Sequence, residues 1–277
     1  MSPLWRDQIR ISLSPSHVAL LRFGKGLKPR LTAKTAVACP ALASNTDAPW
    51  SGALTVLADL LNKPEWQHAD ATVIFSNAFA RFQLLPWNEN ITSAEEQRAF
   101  ARHKLAAVYG DSSEWEIRIA EGNAGTETLA CGMHLKLLDS ITACCSKHGL
   151  RLRSLQPYLM AAYNRVRQDL AQGNVWFAVA EAERVCIMRL ENGAWRSVHC
   201  RSLNADNTLA ALVSVLEREQ QLAGLDEQTA TTLLYAPGVT PASLASIAPS
   251  KFQLLEPAAK SGLDWRTDSP FAMAASA

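Results

Sequence analysis

One order of elements is written twice in this chain, about 160 residues apart, and that duplication limits the fold more than any single motif. In the second copy the runs VWFAVAE, RVCIMRLEN and AWRSVHCRSL are joined by polar turns at Ala182-Glu183 and Asn192-Gly193. Asn-Gly between alternating runs marks a two-residue hairpin, because both central residues of that turn need positive φ. A meander of three antiparallel strands is therefore predicted from Asn174 to Leu203. An amphipathic helix follows, with Leu209, Leu212, Val213 and Leu216 at i, i+3, i+4 and i+7, and then a buried-type strand in TTLLYAP. The N-terminal stretch spells the same order. Apolar runs at 9–13, 17–23 and 31–39 are separated by Ser14-Pro15-Ser16 and by a turn from Gly24 to Pro29. A helical face through Trp50, Leu54, Leu57 and Leu61 comes next, then a short strand at 71–75. The copies share pattern, with negligible identity.

A chain of 277 residues is expected to form two lobes, since single cores stop growing near about 250–300 residues. The formal net charge of +1 leaves no basic footprint for a nucleic-acid module. The six cysteines fall inside apolar patterns, without a CxxC, and read as reduced, buried small hydrophobes of a cytosolic protein. The six histidines form no HExxH or other i, i+4 pair, so they read as isolated surface or edge residues and no metal is expected. No apolar run reaches the ~18 residues of a membrane span, and the opening residues lack the apolar segment of a secretory signal. A cytoplasmic location is expected. The stretch 264–277, rich in Ala, Ser and Pro, reads as a disordered tail.

Between the copies the first half departs from the second. FARFQLLPW, from Phe79 to Trp87, reads as an alternating strand closed by Pro86. Ser93-x-x-Glu96 has capping-box spacing and opens a helix that runs to Tyr109-Gly110. Segments 114–120 and 128–134 read as two strands about a polar turn, so a β-α-β-β block is inserted here. The halves then return to step. A helix through Leu135, Leu138, Ile141 and Cys145 and a strand at 150–155 match 242–248 and 252–255 of the second half.

This order, β-β-β-α-β-α-β twice with a compact block in the first copy, resembles the actin-like ATPase superfamily. The block resembles the extra subdomain of its FtsA and PilM branch. RFQLLPW, followed by a capped helix with Glu95-Glu96 that ends at Tyr109-Gly110, looks like the PilM/MshI/GspL-cytoplasmic-domain group of type IV pilus and type II secretion platforms. Leu4-Trp5-Arg6-Asp7 ahead of the first strand is also similar. The resemblance implies an α/β actin-like fold of duplicated RNase H-like halves. The first lobe is expected at 1–77 and 135–172, the inserted subdomain at 78–134, the second lobe at 173–263 and the tail at 264–277.

In that superfamily ATP lies between the lobes, its phosphates held by two Asp/Gly hairpins and its base by a Gly-rich turn. By register the first Asp-x-Gly falls on Ser12-Leu13-Ser14 and the second near Val179-Ala180-Glu181, and neither aspartate is present. The base turn is reduced to Ala236-Pro237-Gly238. Mg²⁺ with a nucleotide is usually held through one or two carboxylates, and a carboxylate at position 181 repels phosphate. The resemblance thus implies a degenerate cleft at Ser12, Ser14, Val179, Glu181 and Gly238, a pseudo-ATPase without a cofactor. ATP and Mg²⁺ binding without turnover stays open.

Other motifs carry less. Phe23-Gly-Lys-Gly26 lacks the P-loop pattern and reads as a hairpin turn. Ser14-Pro15-Ser16 has no nucleophile elbow around it and no His or Asp obviously paired to it. Glu95 and Glu96 suit the first turn of a helix. Glu181 and Glu183 flank a hairpin as nuclease acids do, but the first strand offers no third acid. The resemblance implies a non-catalytic cytoplasmic scaffold, peripheral at the inner membrane, that grips the cytoplasmic N-terminal segment of a single-pass PilN-like partner. Phe79, Arg81 and Trp87 are the candidate groove residues, because the insertion distinguishes this branch. Trp87 either staples the small lobe to the large one or lines a peptide groove. The rival readings are an ATP-binding actin-like or sugar-kinase-like enzyme, which needs an Asp at the hairpins, and a nuclease, which the neutral charge disfavours.

Overall fold

The computed structural model describes residues 6–27, 29–40, 48–120, 122–168, 170, 172–203, 208–223, 230–248, 252–255, 263–264 and 267–276. Leu4 and Trp5 of the opening motif lie outside the described residues. The strands of the first half are β1 (Gln8–Leu13), β2 (His17–Phe23), β3 (Leu31–Ala38), β4 (Asp70–Phe75), β5 (Ala80–Leu85), β6 (Trp115–Ile119), β7 (Thr128–His134) and β8 (Arg151–Pro157). Those of the second are β9 (Asn174–Glu181), β10 (Arg184–Glu191), β11 (Ala194–Ser202), β12 (Ala230–Tyr235) and β13 (Gln253–Leu254). The helices are α1 (Ser51–Leu61), α2 (Ala94–Tyr109), α3 (Leu135–Lys147), α4 (Tyr158–Val166), α5 (Thr208–Leu222), α6 (Pro241–Ile247) and α7 (Ala272–Ala275).

The duplication is one of topology. One sheet has the order β3-β2-β1-β4-β8 and another the order β11-β10-β9-β12-β13. In each, three strands form an antiparallel meander, and a helix then carries the chain back so that the fourth strand lies parallel to the first. A parallel neighbour needs such a crossover, whereas a tight turn suffices for an antiparallel one. The Asn192-Gly193 turn has φ of 50° and 77°, the left-handed pair that a two-residue hairpin with right-handed twist requires. Leu212, Val213 and Leu216 of α5 are buried against Trp176, Ile187 and Leu234 as the 3.6-residue spacing predicts. In α3 the buried face runs through Leu137, Ile141 and Cys145, while Leu135 is exposed. His134 caps that helix by accepting from the Lys136 amide, so Leu135 occupies the first turn, where it points away from the sheet.

The chain divides into two compact units, Met1–Phe79 with His134–Ala161 and Pro257–Ala277, and Ala80–Met133 with Ala162–Glu256. In the second unit the sheet β5-β7-β6 carries the inserted block, and β5 lies against β11. Two expectations are corrected. Cys186 and Cys200 are not reduced thiols. They sit opposite one another in the β10–β11 register, with Cα atoms 4.2 Å apart, and are joined as a disulfide. Partners created by strand register are invisible to a reading of sequence spacing. Of the four free cysteines, Cys131 and Cys145 are buried, and burial pushes their thiols up to about 12, which keeps them protonated and inert.

The second correction concerns the C-terminal stretch, of which 265, 266 and 277 lie outside the described residues. It does not fray. A 3-10 turn at Ser269–Phe271 and the short α7 bury Phe271, Ala274 and Ala275 against Ala19, Leu21 and Phe23 of β2. Lys34 of β3 donates to Asp268 Oδ1 at 2.6 Å and lies 5.6 Å from the centroid of the Phe271 ring. A run this short has no periodicity to read, so its apolar face stays hidden until the sheet that receives it exists. Phe271→Ala is expected to destabilise the protein by about 3 kcal/mol, the usual penalty for removing a buried ring. Urea unfolding measures it, and a frayed end would leave the midpoint unmoved.

Candidate functional site

The inserted block builds its own small core. Ala101 and Leu105 of α2 pack on Leu85, Ala130 and Ile117, one from each strand of the three-stranded sheet. Gly132 of β7 permits this, since a Cβ there would stand 2.6 Å from the Trp115 ring. At its far end α2 is tied down where Tyr109 Oη donates to the Phe82 carbonyl at 3.0 Å. At its near end the expected capping box is formed. The Glu96 amide donates to Ser93 Oγ at 3.1 Å, and Glu96 Oε2 accepts from the Thr92 and Ser93 amides at 2.9 and 3.0 Å. These backbone bonds, Thr92 first, hold the Glu96 carboxyl below the usual range and so keep it ionised.

Between the end of β5 and that capped helix end lies a groove of about 270 Å³. Leu85, Pro86, Trp87, Ile91 and Phe100 supply its apolar surface, and Asn88, Thr92, Ser93, Gln97, Thr126 and Thr128 its polar walls. The connecting loop is shaped by its own bonds. Asn88 Oδ1 accepts from the Asn90 amide at 3.0 Å, and the Asn88 carbonyl accepts from the Ile91 amide at 3.2 Å. Pro86 ends the strand, and Trp87 stands 51% exposed. A large half-exposed ring beside an apolar recess is a surface suited to anchoring a partner side chain.

The other two groove candidates are placed elsewhere. Phe79 is 4% exposed, in a 3-10 turn before β5, and packs edge-on against Trp50 at 6.3 Å. Arg81 is half-buried, donates to the Ala80 carbonyl at 2.9 Å and lies 5.8 Å from the centroid of the Tyr109 ring. Neither lines the groove, whereas Ile91 and Phe100, which the sequence reading passed over, do. Capping-box spacing was the available signal, because a loop entering a helix at Ser93 sets Gln97 and Phe100 on the flank that faces Trp87.

The positions assigned to the nucleotide site belong to the two units separately. In the first, Ser12 is fully buried at the end of β1 and its hydroxyl donates to the Ala19 carbonyl at 3.5 Å. Ser14 opens the β1–β2 turn. Its hydroxyl donates to the His17 carbonyl at 2.8 Å and accepts from the His17 amide at 3.0 Å. His17 Nε2 lies 3.1 Å from the Pro270 carbonyl, which can only accept, so Nε2 carries the proton and Nδ1 accepts from Ser16 Oγ at 3.0 Å. A serine and a histidine do meet here, where no pairing was expected, and the Ser14 hydroxyl is engaged with His17 while the imidazole is held between Ser16 and Pro270. In the second unit, Val179 is buried in β9, Glu181 ends that strand before the Ala182-Glu183 turn, and Gly238 sits at φ 93° after β12.

The histidines are not all surface residues. His148 is buried, bonded to the Cys144 carbonyl at 2.8 Å and to the Asn62 side chain at 3.2 Å. Among the described residues no three His, Cys, Asp or Glu side chains converge, and no helix is long and apolar enough to cross a membrane.

No protein-family model matches the chain, and no curated protein sequence does. Solved structures do match. A chain of a PilM–PilN type IV pilus biogenesis complex superposes with a TM-score of 0.67 at 14% identity, over 97% of this chain and 96% of that one. The cytoplasmic domain of EpsL, an inner membrane component of the type II secretion system of Vibrio cholerae, gives 0.57 at 9% identity over 97% and 92%. A Bacteroides thetaiotaomicron protein with an actin-like ATPase fold and unknown function gives 0.60 at 9% identity over 98% and 96%. The chain therefore has the actin-like fold, in a form similar to these proteins over nearly its whole length.

Burial holds the His17 imidazole below the ordinary histidine range, so it stays neutral in the fold where the unfolded chain takes a proton. A depressed histidine value costs stability as pH falls below about 6.5, the unfolded value, and the loss levels off below the folded one. His17→Gln is expected to flatten the dependence of Tm on pH between about pH 7 and pH 5. Thermal melts across that range check it, and an unchanged slope would remove His17 as the cause.

Proposed function

We propose that this chain is a non-catalytic scaffold of the inner-membrane platform of a type IV pilus or type II secretion machine. In this reading it works in the cytoplasm and is held at the membrane by gripping the cytoplasmic N-terminal segment of a single-pass PilN-like partner. The groove on the inserted block is where that segment docks. Trp87 carries the reading: it is a large ring left half in water at the mouth of an apolar recess, on the block that resembles the PilM branch. The likeness to a chain from a PilM–PilN complex and to the cytoplasmic domain of EpsL supports the setting.

The non-catalytic part of the proposal rests on the two hairpins. A working site needs a carboxylate at each to orient Mg²⁺ and the attacking water. Here the first carries Ser12 and Ser14, whose hydroxyls are engaged with the Ala19 and His17 backbones. The second carries Glu181 where the approach of phosphate to backbone calls for glycine.

Trp87→Ala is expected to weaken binding of the partner's cytoplasmic segment about 30-fold, as loss of a ~2 kcal/mol anchor does. Because the ring is half exposed, Tm should hold. Calorimetric titration measures the affinity, and an undiminished affinity would move the docking site off this groove. In a thermal-shift titration, millimolar MgATP is expected to leave Tm in place. A rise of several degrees would instead establish nucleotide binding and favour the ATP-binding enzyme reading.

A further inference from the structure

The groove specifies the chemistry of what it holds. At about 270 Å³ it is smaller than the ~300–1,000 Å³ recesses that enclose whole small molecules, so it suits one or two side chains of a polypeptide laid across it. Trp87, Ile91 and Phe100 make that seat apolar. The loop and first helical turn beside it are acidic, with Arg98 on the next turn of α2. From Phe82 to Gln97 the chain carries Glu89, Glu95 and Glu96 and no Lys, Arg or His. Glu89 is exposed in the loop that forms one lip, and Glu95 is exposed on the first turn of α2. Glu96 is bonded to Thr92 and Ser93, which both line the groove.

The helix end is partly occupied by its own cap. A helix N-terminus ordinarily attracts anions through its unpaired amides. Here the Glu96 amide is taken by Ser93, and the Glu96 carboxylate takes the amides of Thr92 and Ser93 just ahead of the helix. The carboxylates of Glu89, Glu95 and Glu96 outnumber the Arg98 cation beside them, which also disfavours an anionic lipid surface.

We infer that the groove takes an extended segment in which a large apolar side chain is flanked by Lys or Arg, the apolar group seated by Trp87, Ile91 and Phe100 and the cations facing Glu89, Glu95 and Glu96. This rests on the docking reading above and adds the partner's charge. It agrees with the bias of cytoplasmic segments beside a membrane span towards Lys and Arg.

The test uses the whole chain and a synthetic fluorescent peptide in which a central Leu-Leu-Phe is flanked on both sides by Lys and Arg. Fluorescence anisotropy reads affinity at low and high salt for the wild type and for Glu89→Lys/Glu95→Lys. Both positions are exposed and outside the capping bonds, and thermal melts confirm that the variant stays folded. The expected result is about a tenfold loss of affinity in the variant at low salt, shrinking towards none near molar salt as screening removes the field. Equal affinity of both proteins at every salt, with Trp87→Ala still weakening the complex, would overturn the basic-segment inference and leave the docking reading standing. No binding by the wild type at any salt would overturn both. Trp87-dependent sedimentation with phosphatidylglycerol vesicles would overturn the inference in favour of a lipid surface.

Discussion

Everything in this molecule is hung on two parallel seams, β1 beside β4 and β9 beside β12. Each seam is made when a helix crossover returns the chain to the first strand of its meander, which leaves that strand paired on both edges. The consequence is near-total burial. Ile9, Ile11, Ser12 and Leu13 of β1 and Phe177, Ala178 and Val179 of β9 have no measurable exposure. A polar side chain on such a strand must find a partner inside the protein, and Ser12 does so on the Ala19 carbonyl across the hairpin. The hairpins that follow these central strands are thus fixed by the sheets behind them. What the hairpins present is set by their residues alone. In this chain those residues are hydroxyls turned inward on one side and a carboxylate on the other.

The inserted block obeys a different logic. Three short strands and one helix can bury little, so its core is a few side chains wide and depends on Gly132 to let the Trp115 ring approach. Such a lobe has more surface than it can cover. Where Pro86 stops β5, the chain has to travel to Ser93 before the helix begins, and that span leaves Trp87 and Ile91 beside a recess. The capping box, a device for starting a helix, doubles here as one wall of the groove and brings the Glu96 carboxylate to its edge.

Much of this was legible from residues alone, for reasons that can be named. Asn192-Gly193 permits one turn type, the period-2 and period-3.6 runs on either side of it have one sensible order, and Ser93-x-x-Glu96 has one common use. The failures share a cause as well. Phe79 reads as a strand residue by alternation, yet a 3-10 turn before β5 rotates it inward onto Trp50. Arg81 lies on a strand, but its half-burial over Tyr109 depends on where α2 ends. The Cys186–Cys200 pair and the docking of α7 on β2 are products of register and of a finished sheet. Local pattern does not encode contacts between segments far apart in the chain, and these four are of that kind.

Amide hydrogen exchange of the intact chain, with the proposed partner segment in one arm and MgATP in the other, tests the central claim most directly. Protection gained at 87–97 with the segment, and none at the β1–β2 and β9–β10 hairpins with nucleotide, is the predicted result. Protection at both hairpins with MgATP, and none at 87–97 with the segment, would contradict it.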